Sequence, residues 1–296
     1  MVSNFIKKCQ ESNGELTTIL VLDSGVPNIN DLKEKILLDN TINFFRSPYF
    51  EKYCLNKSYL FKKKIYKFEI EDDYDNYDHQ TNIHSIISSP YLGTSVDANI
   101  ICGKIINKHG KAPLEMILEG LIYANCIKPD IVNISNGYSL EDLGKSNEYH
   151  IHDLIQHEII KLHQNNIIVI ASKKNLEMGF YPADFKEVIS VVEYKKHKPN
   201  YADIIYNKLN FVVNTNYKSF NIKSGSSFMT AFITGIVSNY ITSIKKDNDE
   251  IDICYIKKIL SKMNETDLEK LYSPSINLTE MSPERINNLI KDFANN

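Results

Sequence analysis

A chain of 296 residues with 43% hydrophobic and 24% charged content is long enough to bury a full α/β core. Its formal net charge of -3 gives no reason to expect nucleic acid or an anionic membrane as partner. No run approaches the roughly eighteen apolar residues of a membrane span, and Met1 to Cys9 lacks the long apolar core of a secretory signal. The cysteines (Cys9, Cys54, Cys102, Cys126, Cys254) are odd in number and scattered, with no Cys-x-x-Cys spacing. They read as reduced thiols in a cytoplasmic protein, not as a disulfide framework or zinc site.

Residues 1–16 are polar and are expected to form a short extension ahead of a single domain spanning 17–296. No Pro/Gly/Ser-rich linker divides it. Thr18 to Leu22 is a short apolar strand ending in Asp23-Ser24-Gly25, and 30–40 reads as a short amphipathic segment. Residues 42–70, rich in Phe, Tyr and Lys, read as an insertion with a possible strand over Lys64 to Ile70. The acidic run Glu71-Asp72-Asp73-Tyr74-Asp75 has carboxylates that suit calcium but no alternating ligand pattern, so it reads as a solvated loop.

His79 to Ile87 opens a helix. A buried strand at 98–106, a helix over Leu114 to Asn125, a strand at Pro129 to Gly137, a helix at about 148–164 and a strand at Ile167 to Ala171 then alternate. That alternation predicts a mostly parallel central sheet with helices on both faces. Residues 200–223 are strand and turn material. Residues 246–296 carry two amphipathic segments, Ile251 to Met263 and Pro283 to Phe293, expected on the outside of the domain.

Ser224-Gly225-Ser226-Ser227 opens an apolar run through Ile244 that reads as a buried helix. Backbone N–H groups and the positive end of the dipole gather at such an N-terminus, so a Ser there is either an ordinary cap or a nucleophile beside oxyanion donors. Four stretches in order bear on that choice: Asp23-Ser24-Gly25, His79-Gln80-Thr81-Asn82, Ala171-Ser172-Lys173-Lys174-Asn175 and Gly225-Ser226-Ser227-Phe228-Met229. Together they resemble the signature blocks of the subtilisin-like serine proteases (subtilases). The order Asp, His, Asn, Ser differs from that of chymotrypsin-like enzymes and α/β-hydrolases.

The resemblance implies a three-layer α/β subtilisin-like fold and a serine endopeptidase. Ser227 would be the nucleophile, His79 the general base and acid, Asp23 the carboxylate orienting the imidazole, and Asn175 an oxyanion donor beside the Ser227 N–H. Ser135, Asn136 and Gly137 resemble the strand that lines an extended peptide substrate. No cofactor or metal site is implied, although calcium is an option on the acidic loop, and the oligomeric state is left open. His84 competes with His79 for the base, and Ser226 with Ser227 for the nucleophile. Gln80, Asn82 and Lys174 depart from the family blocks. The resemblance therefore admits two functions: a processing protease, such as a leader peptidase of a ribosomally made peptide, or a pseudoprotease that binds peptides without cutting them.

Overall fold

The computed structural model describes residues 1–10, 16–27, 30–45, 73–75, 78–90, 93–144, 146–174, 179–193, 204–206, 212–214, 219–221, 225–247 and 249–263. The possible strand at 64–70, Asn175 and the amphipathic segment at 283–293 lie outside these residues.

In chain order the elements begin with α1 (Val2–Gln10), β1 (Thr18–Asp23), α2 (Asn30–Lys33), β2 (Ile42–Asn43), α3 (His79–Ser88) and β3 (Asn99–Lys104). They continue with α4 (Leu114–Ile127), β4 (Ile131–Ile134), β5 (Tyr138–Ser139), α5 (Ser146–Gln164), β6 (Ile168–Lys173), β7 (Phe180–Tyr181) and β8 (Ile189–Glu193). The last are β9 (Ile204–Tyr206), β10 (Val212–Asn214), β11 (Ser219–Asn221), α6 (Ser226–Lys246) and α7 (Ile253–Leu260). Seven strands form one sheet in the order β2-β3-β1-β4-β6-β8-β9, and each neighbouring pair is parallel. The pairs β5–β7 and β10–β11 are separate antiparallel ribbons.

Strand alternation explains the layers. Successive side chains point to opposite faces, so Ile19, Val21, Ile100, Cys102, Ile131, Ile168 and Ile170 join one core with α1, α3, α6 and α7. Leu20, Leu22, Ile101, Val132, Ile134 and Val169 join the other with α4 and α5. A sheet buried on both faces needs apolar residues at both parities, as the run Ile19-Leu20-Val21-Leu22 supplies.

Outside the candidate site the structure departs from the sequence reading at three places. Residues 1–16 are more than an extension, because α1 buries Phe5, Ile6 and Cys9, with Phe5 stacked on Tyr240 of α6. The expected insertion at 42–70 begins with core structure: β2 is a sheet edge, and Phe44 is buried beneath it. By length and composition α6 could cross a membrane, unlike any stretch picked out above, but 89% of its apolar window is buried inside the protein.

His84 sits on α3, fully buried, and neither ring nitrogen is hydrogen-bonded among the described residues. Burial disfavours the charged imidazolium and pushes its pKa down to about 3. The neutral ring's contribution to stability is therefore whole above the unfolded pKa of 6.5 and is lost as pH falls toward 3. By pH 5 that loss is about 2 kcal/mol. Urea midpoints at pH 7 and pH 5 check this. His84→Leu should remove this acid-labile component and raise stability at pH 7 by about 1–3 kcal/mol, since it removes a buried polar group with no partner.

Candidate active site

β1, β4 and β6 run parallel and present their C-terminal ends along one edge of the sheet, where open α/β sheets form crevices. β1 ends in Asp23, fully buried. Gly25 follows at φ +127°, where an added Cβ would lie 2.7 Å from the Asp73 carbonyl oxygen. The turn therefore needs glycine for both its conformation and its closeness. It lets the Val26 N–H donate to Asp73 O at 2.8 Å and the Asp75 N–H to Val26 O at 2.9 Å, pinning residues 73–75 beside the end of β1.

His79 is the first residue of α3. Its Nδ1 lies 2.8 Å from Asp23 Oδ1 and 2.9 Å from Oδ2. A buried carboxylate accepts only, so it holds the ring proton on Nδ1 and leaves Nε2 as the basic nitrogen. The structure thus brings Asp23 to His79, while His84, the competing histidine, faces the core.

Ser227 lies in the first turn of α6, after Gly225, and is partly exposed. Its hydroxyl donates to the Ser135 carbonyl at 3.0 Å, and the Ser135 hydroxyl lies 3.1 Å from Asn133 Oδ1. Asn133 Nδ2 donates to Thr234 Oγ1 at 2.8 Å, tying β4 to α6. Phe228, the next residue along, packs its ring 5.9 Å from the His79 ring. The start of α6, the imidazole and the segment after β4 therefore share one corner of the molecule.

Of the expected substrate-lining residues, Ser135 is buried while Asn136 and Gly137 are partly exposed. The Gly137 N–H donates to Asn136 Oδ1 at 2.6 Å. A Cβ on Gly137 would meet the Tyr181 carbonyl oxygen at 2.5 Å and the Phe180 ring at 2.6 Å, so this segment lies flat against β7. Lys173 and Lys174 stand where the family has small residues, and they behave oppositely. Lys174 is exposed. Lys173 is buried, with Nζ 2.6 Å from Asp184 Oδ1. Asp184 Oδ2 accepts from the N–H groups of Gly179 at 2.6 Å and Phe180 at 2.8 Å.

Asp75 corrects the reading of the acidic run as solvated. It is 5% exposed. Oδ2 accepts from the N–H and hydroxyl of Thr81, each at 2.7 Å, and Oδ1 lies 2.7 Å from Ser24 Oγ. Its distance of four residues from His79 was the available signal, and the neighbouring acids mask it. Among the described residues no three of His, Cys, Asp or Glu cluster as a metal site.

Three solved structures share the architecture. The prenylagaramide maturation protease PagA is 15% identical with a TM-score of 0.58, over 93% of this chain and 95% of that one. The epidermin leader peptide processing serine protease EpiP of Staphylococcus aureus is 18% identical with a TM-score of 0.53, over 83% and 67%. A cold adapted subtilisin-like serine proteinase is 14% identical with a TM-score of 0.53, over 83% and 79%. No protein-family model and no curated protein matches the sequence. The chain has the three-layer fold of the subtilisin-like serine proteases. Among the proteins that share this fold are enzymes of peptide maturation and leader-peptide processing.

Proposed function

We propose that the protein is a serine endopeptidase of the processing kind, acting in the cytoplasm on a peptide or protein such as the leader of a ribosomally made precursor. The observation that carries this reading is the buried Asp23 carboxylate held on His79 Nδ1, with Ser227 at the N-terminus of α6 in the same corner. For the reaction the Ser227 hydroxyl would leave the Ser135 carbonyl and hydrogen-bond to the imidazole instead. His79 Nε2 would then accept the proton as Ser227 Oγ attacks the substrate carbonyl, and later give it to the leaving amine. The Ser227 N–H and the Asn175 side chain would steady the oxyanion. Water attacking the acyl group, again with His79 as base, would free the second product. Asp23 would stabilise the transient imidazolium by its charge. The substrate would run extended along 135–137, with Asn136 giving up its bond to the Gly137 N–H.

Processing, rather than broad digestion, is supported by the likeness in fold to PagA, a maturation protease, and EpiP, a leader peptide processing protease. A proteome-derived peptide library, profiled for new termini, tests the function. Wild-type protein should create termini within a narrow sequence motif, and Ser227→Ala should create none. Peptides retained equally by both proteins, with none cut, would overturn the protease and favour a peptide-binding module.

A further inference from the structure

Ser24 stands between two carboxyl groups. Its Oγ lies 2.9 Å from Asp23 Oδ1 and 2.7 Å from Asp75 Oδ1, and it accepts from the Gln80 N–H at 2.9 Å. A hydroxyl carries one proton. Directed at Asp75, that proton leaves two bare oxygens facing each other at Asp23. Directed at Asp23, it leaves the shorter contact bare. One further proton, on Asp75 Oδ1, satisfies all of these contacts: Asp75 donates to Ser24, Ser24 donates to Asp23, and Asp23 accepts from His79 Nδ1.

We propose that Asp75 is a positioning residue, resting as the neutral acid, whose O–H locks the Ser24 hydroxyl onto Asp23 and so aims the Asp23 carboxylate at His79. The consequence for rate rests on the protease reading of the site; the location of the proton does not.

The surroundings agree. Burial is the largest influence on Asp75 and raises its pKa, and the Asp23 charge adds to it, against hydrogen bonds from Thr81 and Ser24 that act the other way. The ionisable groups around Asp75 come from three elements and its own segment. Among the described residues they are Asp23 on β1 and Cys102 on β3, with His79 of α3 held on Asp23, Lys104 of β3 held on the neighbouring Tyr74 carbonyl, and Asp73 and Tyr74 in its own segment. The Lys104 ammonium donates to the Tyr74 carbonyl at 2.8 Å. The Cys102 thiol is pushed up by burial, and the Asp23 charge adds to that push. As pH rises and Asp75 ionises, the Ser24 proton turns toward it, Asp23 loses that support, and the rate falls.

Two measurements decide the matter. In Ser227→Ala protein labelled with carbon-13 at aspartate carboxyls, the resonance that Asp75→Asn removes should hold its protonated shift through neutral pH. An ionised shift at neutral pH overturns the proposal. The second readout is the rate of labelling by an active-site fluorophosphonate. Asp75→Asn, whose amide N–H can still donate to Ser24 while its oxygen accepts from Thr81, should stay within about threefold of wild type and lose the fall at high pH. Asp75→Leu should be slower by about tenfold. Asn as slow as Leu in folded protein, or a wild-type alkaline fall retained in Asp75→Asn, also overturns it. Failure of the wild type to label at all counts against the protease reading instead, and the carboxyl titration then decides the position of the proton.

Discussion

Asp23→Asn should lower the rate of Ser227 acylation by a fluorophosphonate about 10⁴-fold, with little change in melting temperature. The geometry says which way the new amide sits. Asp23 Oδ1 accepts from the Ser24 N–H at 2.8 Å, so the amide oxygen takes that position and the NH2 group takes the place of Oδ2. That group lies 2.9 Å from His79 Nδ1 and would donate to it. The ring proton must then move to Nε2, the nitrogen required to accept from Ser227. A well-ordered but wrong tautomer results, costing about 5 kcal/mol of barrier at that fold-change. Labelling rates with a thermal melt check both halves. A rate within tenfold of wild type would mean that Asp23 does not set the tautomer.

The second large effect concerns stability. Asp184→Ala should cost about 3–5 kcal/mol in urea unfolding, because it takes the Asp184 carboxylate from the buried Lys173 charge and removes the acceptor of two backbone N–H groups together. Lys173→Met combined with Asp184→Asn should recover most of that loss. The Asn oxygen still accepts from Gly179 and Phe180, and no uncompensated charge remains. A double variant as unstable as Asp184→Ala would show that the charge pair is not the source. The pair joins the end of β6 to the turn after β7, and β7 backs the 135–137 segment, so peptide cleavage should fall in Asp184→Ala as well.

These two sites differ in how far the sequence discloses them. Asp23 and His79 stand out because each lies in a short block whose residue types a triad requires, and because Asp23 ends an apolar strand. The sheet is legible for a similar reason: Ile131 to Ile134 and Ile168 to Ala171 are apolar at both parities, and the chain between them has helical spacing. Lys173 is the opposite case. A lysine closing a strand reads as solvent-facing, and only the return of the chain through residues 179–184 brings Asp184 to it. Asp75 was hidden by composition, since one buried acid in a run of four looks like the other three. Its partner Ser24 is 51 positions away and meets it only once β1 and the segment before α3 are side by side. α1 escaped because its mean hydropathy is low; the apolar Phe5, Ile6 and Cys9 matter only against a partner such as α6.

The direct test of the central claim is chemical. Folded protein is treated with a fluorophosphonate, digested, and the adduct located by mass spectrometry. The account predicts a single modification on Ser227, absent from His79→Ala and Ser227→Ala. An adduct on Ser226, or none on Ser227 in protein that melts cooperatively, would contradict it.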